Sequence, residues 1–508
     1  MSAPPAVEAD IEPRREYPPI VQFLGRPSTR VALRWGYIAI LTGVAFWPSI
    51  TSLAETARSD GFNSYIWMVP AAAILAAQGV ARRPRTELPI HDRQTDVIVG
   101  LMGLVLALLL HGVLLQRYAL YFHLLRLDFL ALYVFVLSSA IVLFGLRPVA
   151  RFAAVWVLLL AMFALPYQIL VILLGGNRIA AGAATLAIAG GATGIAVGRT
   201  VRRGWIGGLA AWGVGLVILV ALAVVFPYAP VLVYQEVPAL TATALVGFVM
   251  FLLARRGGPK RLLDRKIEPI AAGQVLAGLP LVLVVAILLA MVKLPILPSP
   301  PTQHFAGLPL SGPLNPPAGW HVTETEDYPW VKRLYGRISY LTRQRMVADV
   351  GNPQWDKLSR PRTVMVDNVV TDRPMSFSVY PAKVLYDVSA TRLSEPRRVG
   401  LGYGVVGEAV TVVDDRLHVT WNMLQWTWRN DERAQRIVLI TVDNHEESAP
   451  FPNPSGRLLP TLSTLFTVLF RGNSAVDDRS PTFKDIDLLT EIGRGLVRSQ
   501  LEPLGRLS

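Results

Sequence analysis

Six ionisable side chains near the ends of apolar segments are the residues of this chain that could do chemistry. They are Asp60, His111, Arg126, Arg178, Glu236 and Lys293. Charge beside hydrocarbon is costly, so an ionisable residue kept there is a candidate functional residue. The alternative interpretation is that loop ends simply carry charges and that arginine extends its charged head to the interface. Glu236, the only acidic residue between Asp128 and Asp264, is a principal candidate.

These candidates group by position along the chain. Asp60 lies in a first loop, and the second loop region carries His111, Arg117, His123, Arg126 and Asp128. Arg178 follows Asn177 in a third loop, Glu236 follows in a fourth, and Lys293 closes the last apolar segment. If the segments form a compact bundle, several of these side chains would meet in one outward-facing cavity.

The elements that must position them are apolar helices. A spanning helix needs about 20 apolar residues to cross a hydrocarbon core of about 30 Å. Nine stretches have this character, and the mean hydropathy of +0.41 agrees with a membrane protein. We predict spans near 33–52, 64–81, 97–115, 127–146, 150–173, 179–198, 206–227, 233–254 and 273–294.

Basic residues predict the orientation of these spans. Of the 25 Lys and Arg residues up to Lys293, twenty lie in the N-terminal tail and in alternate loops. The other five are Arg58, Arg117, Arg126, Arg178 and Lys293. Cytoplasmic loops hold the excess of Lys and Arg, so we expect the N-terminus inside a bacterial plasma membrane. With nine spans, the C-terminal part would be outside. Residues 1–32 are charged and Pro-rich, and we expect them to be a disordered cytoplasmic tail without a cleavable signal peptide.

Charge and cysteine content exclude several functions. Residues 1–294 carry a net charge of +12, whereas the remainder carries only +1. The basicity therefore reports membrane topology and contact with the lipid bilayer, and we predict no nucleic-acid partner. The chain has no cysteine, which excludes a thiol nucleophile and Cys-ligated metal.

The C-terminal part has a different composition. Eight prolines in 295–318 predict an extended linker that lifts the following domain off the membrane. Residues 319–508 predict an extracytoplasmic α+β domain with an antiparallel sheet. We expect strands at 363–370, 376–386, 409–413, 416–424 and 436–443, a hairpin at Asp414-Asp415, and helices at 457–471 and 482–502.

Motifs for cofactors and metals are weak. The Gly-rich segments at 190–194 and 204–208 lack the strand and the Lys-Ser/Thr pair of a phosphate-binding loop, so we assign them to close helix packing. The run from Asp443 to Glu447 lacks a second histidine and is expected to be a solvated turn. Trp421, Trp426 and Trp428 are expected in the core. No cofactor or metal site is predicted.

The membrane half resembles the exosortase/archaeosortase family of envelope sorting transpeptidases. The resemblance is carried by Phe46-Trp47-Pro48 through Asp60 to Arg83, by 143–147 running to Pro166, and by the segment Tyr234–Ala242. The last of these stands where the family places its Cys-Ser-Gly motif. The C-terminal part resembles the exosortase-associated exported domain at 380–381, 395–396 and 399–402. The resemblance implies a role in envelope assembly or protein sorting, but the family nucleophile is cysteine and this chain has none.

Three functions remain open from the sequence. The first is a non-thiol relative of exosortases that holds an exported protein. The second is a multi-span transferase of lipid-linked groups, with Asp60 as base. The third is a non-enzymatic scaffold or transporter component whose C-terminal domain binds partners. The sequence leaves open whether the protein is an enzyme.

Overall fold

The computed structural model describes residues 27–83, 93–255, 278–295, 302–310, 312–386, 391–446, 448–455, 478 and 480–502. The expected tail up to residue 26 and the expected helix at 457–471 lie outside the described residues. The predicted tail, 1–32, is wrong at its end, because residues 27–32 belong to the first helix.

The N-terminal half is a bundle of apolar helices. Their bounds are α1 Pro27–Ala45, α2 Trp47–Arg58, α3 Met68–Ala81, α4 Arg93–Leu109, α5 Leu127–Phe144, α6 Ala153–Leu159, α7 Ala164–Leu173, α8 Arg178–Val197, α9 Val201–Val225, α10 Val231–Arg255 and α11 Leu279–Ala290. Within the residues that the structure describes, six helical segments are long and apolar enough to cross a membrane, or up to eight if each of two bent pairs counts as one span. The α11 helix is shorter, with 12 residues. The chain is therefore a membrane protein by length and composition of its helices, and nine spans remain a prediction.

Short turns connect these helices. A 3-10 helix, Phe62–Trp67, leads into α3, and a π-helical turn, Leu110–Leu114, extends α4. The helix Phe122–Leu125 precedes α5. Further short helices are Leu115–Arg117, Ala119–Tyr121, Leu146–Ala150 and Leu160–Met162.

Two of the predicted spans are broken. The axes of α1 and α2 differ by 71°, and those of α6 and α7 by 70°. Pro48 stands in the first turn of α2, where a missing N–H is tolerated, and Pro166 stands near the start of α7. Phe163 between α6 and α7 has extended backbone. After these breaks, α2 carries Ser49 and α7 carries Gln168, which take part in the site described below.

At the end of the bundle opposite Asp60 and Arg126, arginine side chains cap the C-termini of helices. We call this end the basic end. Arg34 donates to the carbonyl of Leu143 (3.0 Å), and Arg93 donates to that of Val142 (2.7 Å), near the C-terminus of α5. Arg83 donates to Ile195 (2.5 Å) near the C-terminus of α8. A cation there satisfies free carbonyl groups and the negative end of the helix dipole. The residues that predicted the orientation thus also cap helices.

Close packing of α8 and α9 depends on glycine. A Cβ atom on Gly190 would lie 3.0 Å from the carbonyl oxygen of Gly208, and one on Gly194 would lie 3.0 Å from that of Gly204. The two backbones therefore touch without intervening side chains, as the sequence predicted.

The C-terminal domain is built on one mixed sheet. Its strands are β1 Gln303–His304, β2 Trp320–Asp327, β3 Tyr340–Ala348, β4 Thr363–Thr371, β5 Thr391–Leu393, β6 Arg397–Gly402, β7 Val405–Asp414, β8 Val419–Arg429 and β9 Ala434–Val442. The order is β2-β3-β4-β9-β8-β7-β5, with β6 also on β7 and the short β1 parallel to β8. All other pairs are antiparallel. The prediction of an antiparallel α+β domain is confirmed for these residues.

The strand expected at 376–386 is wrong. Ser376–Val379 form a helix and Ala382–Leu385 a 3-10 helix. Pro374 and Pro381 flank the first helix and remove backbone donors that a strand would need. Phe377, Val379 and Tyr380 of this segment pack in the cluster that lies between the sheet and the helix bundle.

The helix α12, Ile486–Leu501, covers one face of the sheet. The helix predicted at 482–502 is thus confirmed. Trp426 and Trp428 are fully buried beneath it. Leu308, Leu310 and Leu314 of the predicted linker pack into this same cluster. The described part of the linker therefore belongs to the domain and is not a spacer, because its leucines alternate with the prolines and find apolar partners.

The other face of the sheet packs on the helix bundle. One continuous hydrophobic cluster, which we call the docking cluster, joins helix ends to the domain: Leu115, Tyr118, Phe122, Leu125 and Ile172 with Leu334, Tyr335, Val369, Phe377 and Tyr380. Burial of one such side chain contributes about 1.5–3 kcal/mol. The helix ends at this cluster form the docked end of the bundle. The domain is thus held directly on the bundle.

A glycine permits the closest approach between the two parts. Gly176, between α7 and α8, has a φ of +69°, and a Cβ atom there would overlap the carbonyl oxygen of Arg333. Its neighbour Gly175 also has positive φ (+111°), but its Cβ position has no neighbour nearer than 3.8 Å.

These two glycines give a matched test of docking. Gly175→Ala should cost about 1–3 kcal/mol through backbone strain. Gly176→Ala should cost a further 1–3 kcal/mol because the methyl group pushes Arg333 away. Thermal unfolding and limited proteolysis of the purified full chain measure the difference. Equal stability of the two variants would show that the contact between Gly176 and Arg333 is not made.

Candidate functional site

A fully buried ion pair lies at the docked end of the bundle. Arg126 binds Asp128 through two hydrogen bonds, from Nε (3.1 Å) and from Nη2 (2.8 Å), and neither side chain is exposed. Nη2 also reaches the carbonyl of Ser49 on the bent helix α2 (3.2 Å). The rings of Phe122 and Phe129 enclose the guanidinium group, with centroids 4.9 and 4.7 Å from its Cζ. The pair is therefore part of the packing that fixes α2 and α5.

Backbone geometry around this pair is unusual. Arg126 has a φ of +47°, which is uncommon for a residue with a side chain. His111 lies in the π-helical turn of α4 and packs edge-on against Phe46 (5.1 Å). Left-handed backbone and π turns concentrate at functional sites.

Four buried polar atoms in this region have no hydrogen-bond partner in the described part of the chain. They are Ser49 Oγ, His111 Nδ1, His123 Nδ1 and Arg126 Nη1. Buried polar groups are normally paired with protein or ordered water. The cluster therefore has unused capacity to bind water or a polar group.

A second polar centre lies at Asp60, where four parts of the chain converge. Its carboxylate binds Arg178 Nη2 (3.0 Å) at the start of α8 and accepts from the N–H of Val231 (2.5 Å) at the start of α10. Its carbonyl accepts from Arg373 Nη2 of the C-terminal domain (3.3 Å). The Arg373 guanidinium also stacks on Phe62 (3.8 Å). Asp60 and Arg178, both candidates from the sequence, are thus direct partners and are about one quarter to one third exposed.

Amide side chains link the bundle to the C-terminal domain. Asn63 donates to the carbonyl of His123 (2.7 Å) and accepts from Gln168 (2.7 Å). Gln168 in turn accepts from the hydroxyl of Tyr380 (3.2 Å). Arg436 on the central strand β9 donates to the carbonyl of Tyr380 (3.0 Å) and so fixes the segment that carries this hydroxyl.

Glu236 lies beside the next layer of this network. Its neighbour Gln235 donates to the carbonyl of Phe62 and to the hydroxyl of Tyr167 (both 2.7 Å). Tyr167 stacks on Tyr65, with ring centroids 3.5 Å apart. The Oε1 atoms of Gln235 and Glu236 are buried without a partner in the described residues. The sequence therefore identified Glu236, which accepts a hydrogen bond from the backbone of Met68, but overlooked Gln235, whose amide makes the two hydrogen bonds above.

The predicted candidates do not form one cavity. Arg126 and Asp128 with His111 make one cluster, and Asp60 with Arg178 makes another. Lys293 and Arg117 are exposed, and the described contact of Lys293 is through its carbonyl, which accepts from Gln116 (2.7 Å). A small cavity lies between Gly61, Phe62, Leu334, Arg373 and Tyr380 where the domain meets the bundle. Within the described ranges, no group of three His, Asp or Glu residues could hold a metal ion.

The C-terminal domain has a polar chain of its own. Since arginine can only donate, His445 Nε2 accepts from Arg362 (2.6 Å), and its Nδ1–H therefore donates to Asp356 (2.6 Å). Burial would raise the pKa of Asp356, but hydrogen bonds from His445, Arg360 and backbone N–H groups outweigh it and hold that pKa below its ordinary value. Arg362 also binds Asp485 at the start of α12 (2.6 Å). The solvated turn expected at 443–447 is thus wrong for His445.

Comparison of the chain with protein-family models, with curated proteins and with solved structures finds no match.

The buried pair predicts a specific pattern of stability. Arg126→Leu should destabilise the protein by about 3–5 kcal/mol, because Asp128 would be left buried and unpaired. Replacing both residues with leucine should cost less than Arg126→Leu alone. Arg178→Leu, which breaks a partly exposed pair, should cost about 1 kcal/mol or less. Denaturant unfolding of the purified protein measures all three. A double variant less stable than Arg126→Leu would contradict a paired buried charge.

Proposed function

We propose that this chain is an integral plasma-membrane protein of cell-envelope assembly or protein sorting, which holds an exported protein or a lipid-linked envelope substrate at its docked end. The proposal rests on the exosortase-like layout together with the shared polar site. Since there is no cysteine, the thioester route of exosortases is excluded. The C-terminal domain would lie outside the cytoplasm.

The observation that carries the proposal is that the site is shared between the bundle and the domain. Gln168 and Asp60 of the bundle bind Tyr380 and Arg373 of the domain. Arg373 is buried, and its Nε has no partner among the described residues. We call this contact region between the bundle and the C-terminal domain the seam. A substrate that reached the seam would contact both parts at once, which is what a protein that receives exported chains at the membrane surface requires.

A non-enzymatic scaffold is the second candidate. It is favoured by the pairing of the charged candidates with one another, since Arg126 and Arg178 each bind an aspartate. In that case the domain would present its surface to partners, and the polar site would serve only to hold the domain in place.

The transferase alternative has less support. A general base needs a free carboxylate oxygen within reach of its substrate. Both oxygens of Asp60 are engaged, one by Arg178 and the other by Val231.

The shared contacts give the test of the proposal. Arg373→Gln with Tyr380→Phe should weaken docking by roughly 2–4 kcal/mol, since a charge-assisted and a neutral hydrogen bond are lost. We expect a strain that carries this variant to lose the envelope proteins or lipid-linked products that depend on the wild-type chain. Quantitative analysis of the envelope fraction measures the loss.

The matched control is Arg397→Gln with Tyr403→Phe, on the α12 side of the sheet. It should leave the envelope unchanged at equal protein abundance. A normal envelope with the Arg373/Tyr380 variant would contradict the proposed role of the seam.

A further inference from the structure

A strip of basic side chains borders the seam between the C-terminal domain and the bundle. Lys332 and Arg333 belong to the short helix Lys332–Tyr335, and Arg337 follows in the next turn. All three are exposed. We call these three residues the seam strip. Hydrogen bonds and ion pairs within the domain engage the side chains of many of its other arginines, such as Arg343 and Arg362. Among the residues that the structure describes, the side chains of the strip make no such contact.

Direct contacts place this strip at the end of the membrane helices. The carbonyl oxygen of Arg333 lies against Gly176, in the turn between α7 and α8. The Cβ position of Gly336 lies 3.0 Å from Arg373 and from Asp372. The strip is therefore joined to the centre at Asp60 and Arg178 through residues that touch one another.

The apolar surface of the bundle ends at the same level. Leu173, Leu174 and Ile179 flank the turn at Gly176 and are 78%, 49% and 47% exposed. Side chains of this type on the outside of a membrane bundle face lipid. Next to the strip, Ile338 is also 54% exposed. The cations thus lie at the boundary where apolar helix surface gives way to water, which is the depth of lipid headgroups.

The charge of this boundary is unbalanced. Five cations lie along it, namely the three of the strip with Arg178 and the buried Arg373, whereas the carboxylates there are Asp60, which pairs with Arg178, and Asp372, which lies beside Gly336. One of these carboxylates is already paired with Arg178. The outward-facing charge that remains is positive, and clusters of Lys and Arg beside a membrane attract anionic lipid headgroups.

We infer that the seam strip binds the phosphate groups of anionic phospholipids in the leaflet at the docked end, and that these lipids help to hold the C-terminal domain on the bundle. The cations are exposed along a surface rather than enclosed in a pocket, which suits headgroups in a bilayer. The exposed Ile338 would enter the interface beside them, as amphipathic surface anchors do. This inference goes beyond the proposed function and does not depend on it.

The test uses the full chain in nanodiscs of phosphatidylcholine mixed with phosphatidylglycerol. The enrichment of phosphatidylglycerol around the protein is measured by native mass spectrometry for wild type and for Lys332→Gln/Arg333→Gln/Arg337→Gln. Each Lys or Arg near an anionic surface strengthens binding by about fivefold. Since the variant removes three of them, we expect the enrichment of phosphatidylglycerol to fall at least tenfold relative to wild type. High salt should remove the same enrichment. Added inorganic phosphate should not compete if the ligand is a lipid.

The matched control is Lys357→Gln/Arg397→Gln/Arg498→Gln. It removes one lysine and two arginines from the α12 side of the domain, where all three are exposed, and it should leave the enrichment unchanged. Equal enrichment in the strip variant and in the control would overturn the inference. So would competition by inorganic phosphate, which would indicate a site for a soluble anion. If the triple variant does not fold, Arg337→Gln alone should still lower the enrichment, and an unchanged value would count equally against the strip.

Discussion

The docking cluster is the interaction on which the rest of this structure depends. Apolar side chains from the ends of the membrane helices and from one face of the sheet form a single buried cluster. Without it, that face of the sheet and the short helix Ser376–Val379 would expose Val369, Phe377 and neighbouring residues to water, at a cost of about 1.5–3 kcal/mol for each large side chain. The bundle would likewise leave the Asn63–Gln168 pair without the hydroxyl of Tyr380. The docking cluster thus brings Tyr380 within hydrogen-bond distance of Gln168.

The polar groups at the docked end then fall into two kinds. Arg126 with Asp128 is enclosed by aromatic rings and ties helices together, so its charge is used within the bundle. Asp60 with Arg178 is partly exposed and is contacted by the domain through Arg373. Of the two ion pairs, only the second is exposed to the surroundings of the protein. This distinction separates residues that look alike in the sequence, where all of them are charges near the ends of apolar segments.

Much of the fold follows from local sequence patterns. Apolar length predicts the helices, and alternation with β-branched and aromatic residues predicts β4, β7, β8 and β9. Asp414 closes the predicted hairpin by accepting from the backbone of Arg416 and Leu417. The strands β1, β2, β3, β5 and β6 were not predicted, because they are short or, like residues 323–327 of β2, polar without apolar alternation. Segment 376–386 has the composition of a strand but forms two short helices. Its apolar side chains pack in the docking cluster, which local sequence does not reveal.

The site was harder to predict for the same reason. Charge within apolar sequence identifies Asp60, Arg126, Arg178 and Glu236 as unusual. It does not identify Gln168, Gln235 or Tyr380, whose roles arise from contacts between residues up to 212 positions apart. Arg373 lies in a C-terminal domain rich in arginine, and no local pattern separates it from the other arginines. The one local signal beside Arg373 is Pro374, which indicates that the strand pattern ends there.

The most direct test of this account measures the distance between the two parts. The absence of cysteine allows spin labels to be placed at Leu173→Cys and Ile338→Cys, both exposed positions, without other substitutions. Pulsed electron paramagnetic resonance on the full chain in nanodiscs should give a single, narrow distance distribution, because one hydrophobic cluster fixes the domain on the bundle. A broad distribution extending to long distances would show a domain that moves freely on a linker, and would contradict the docked arrangement.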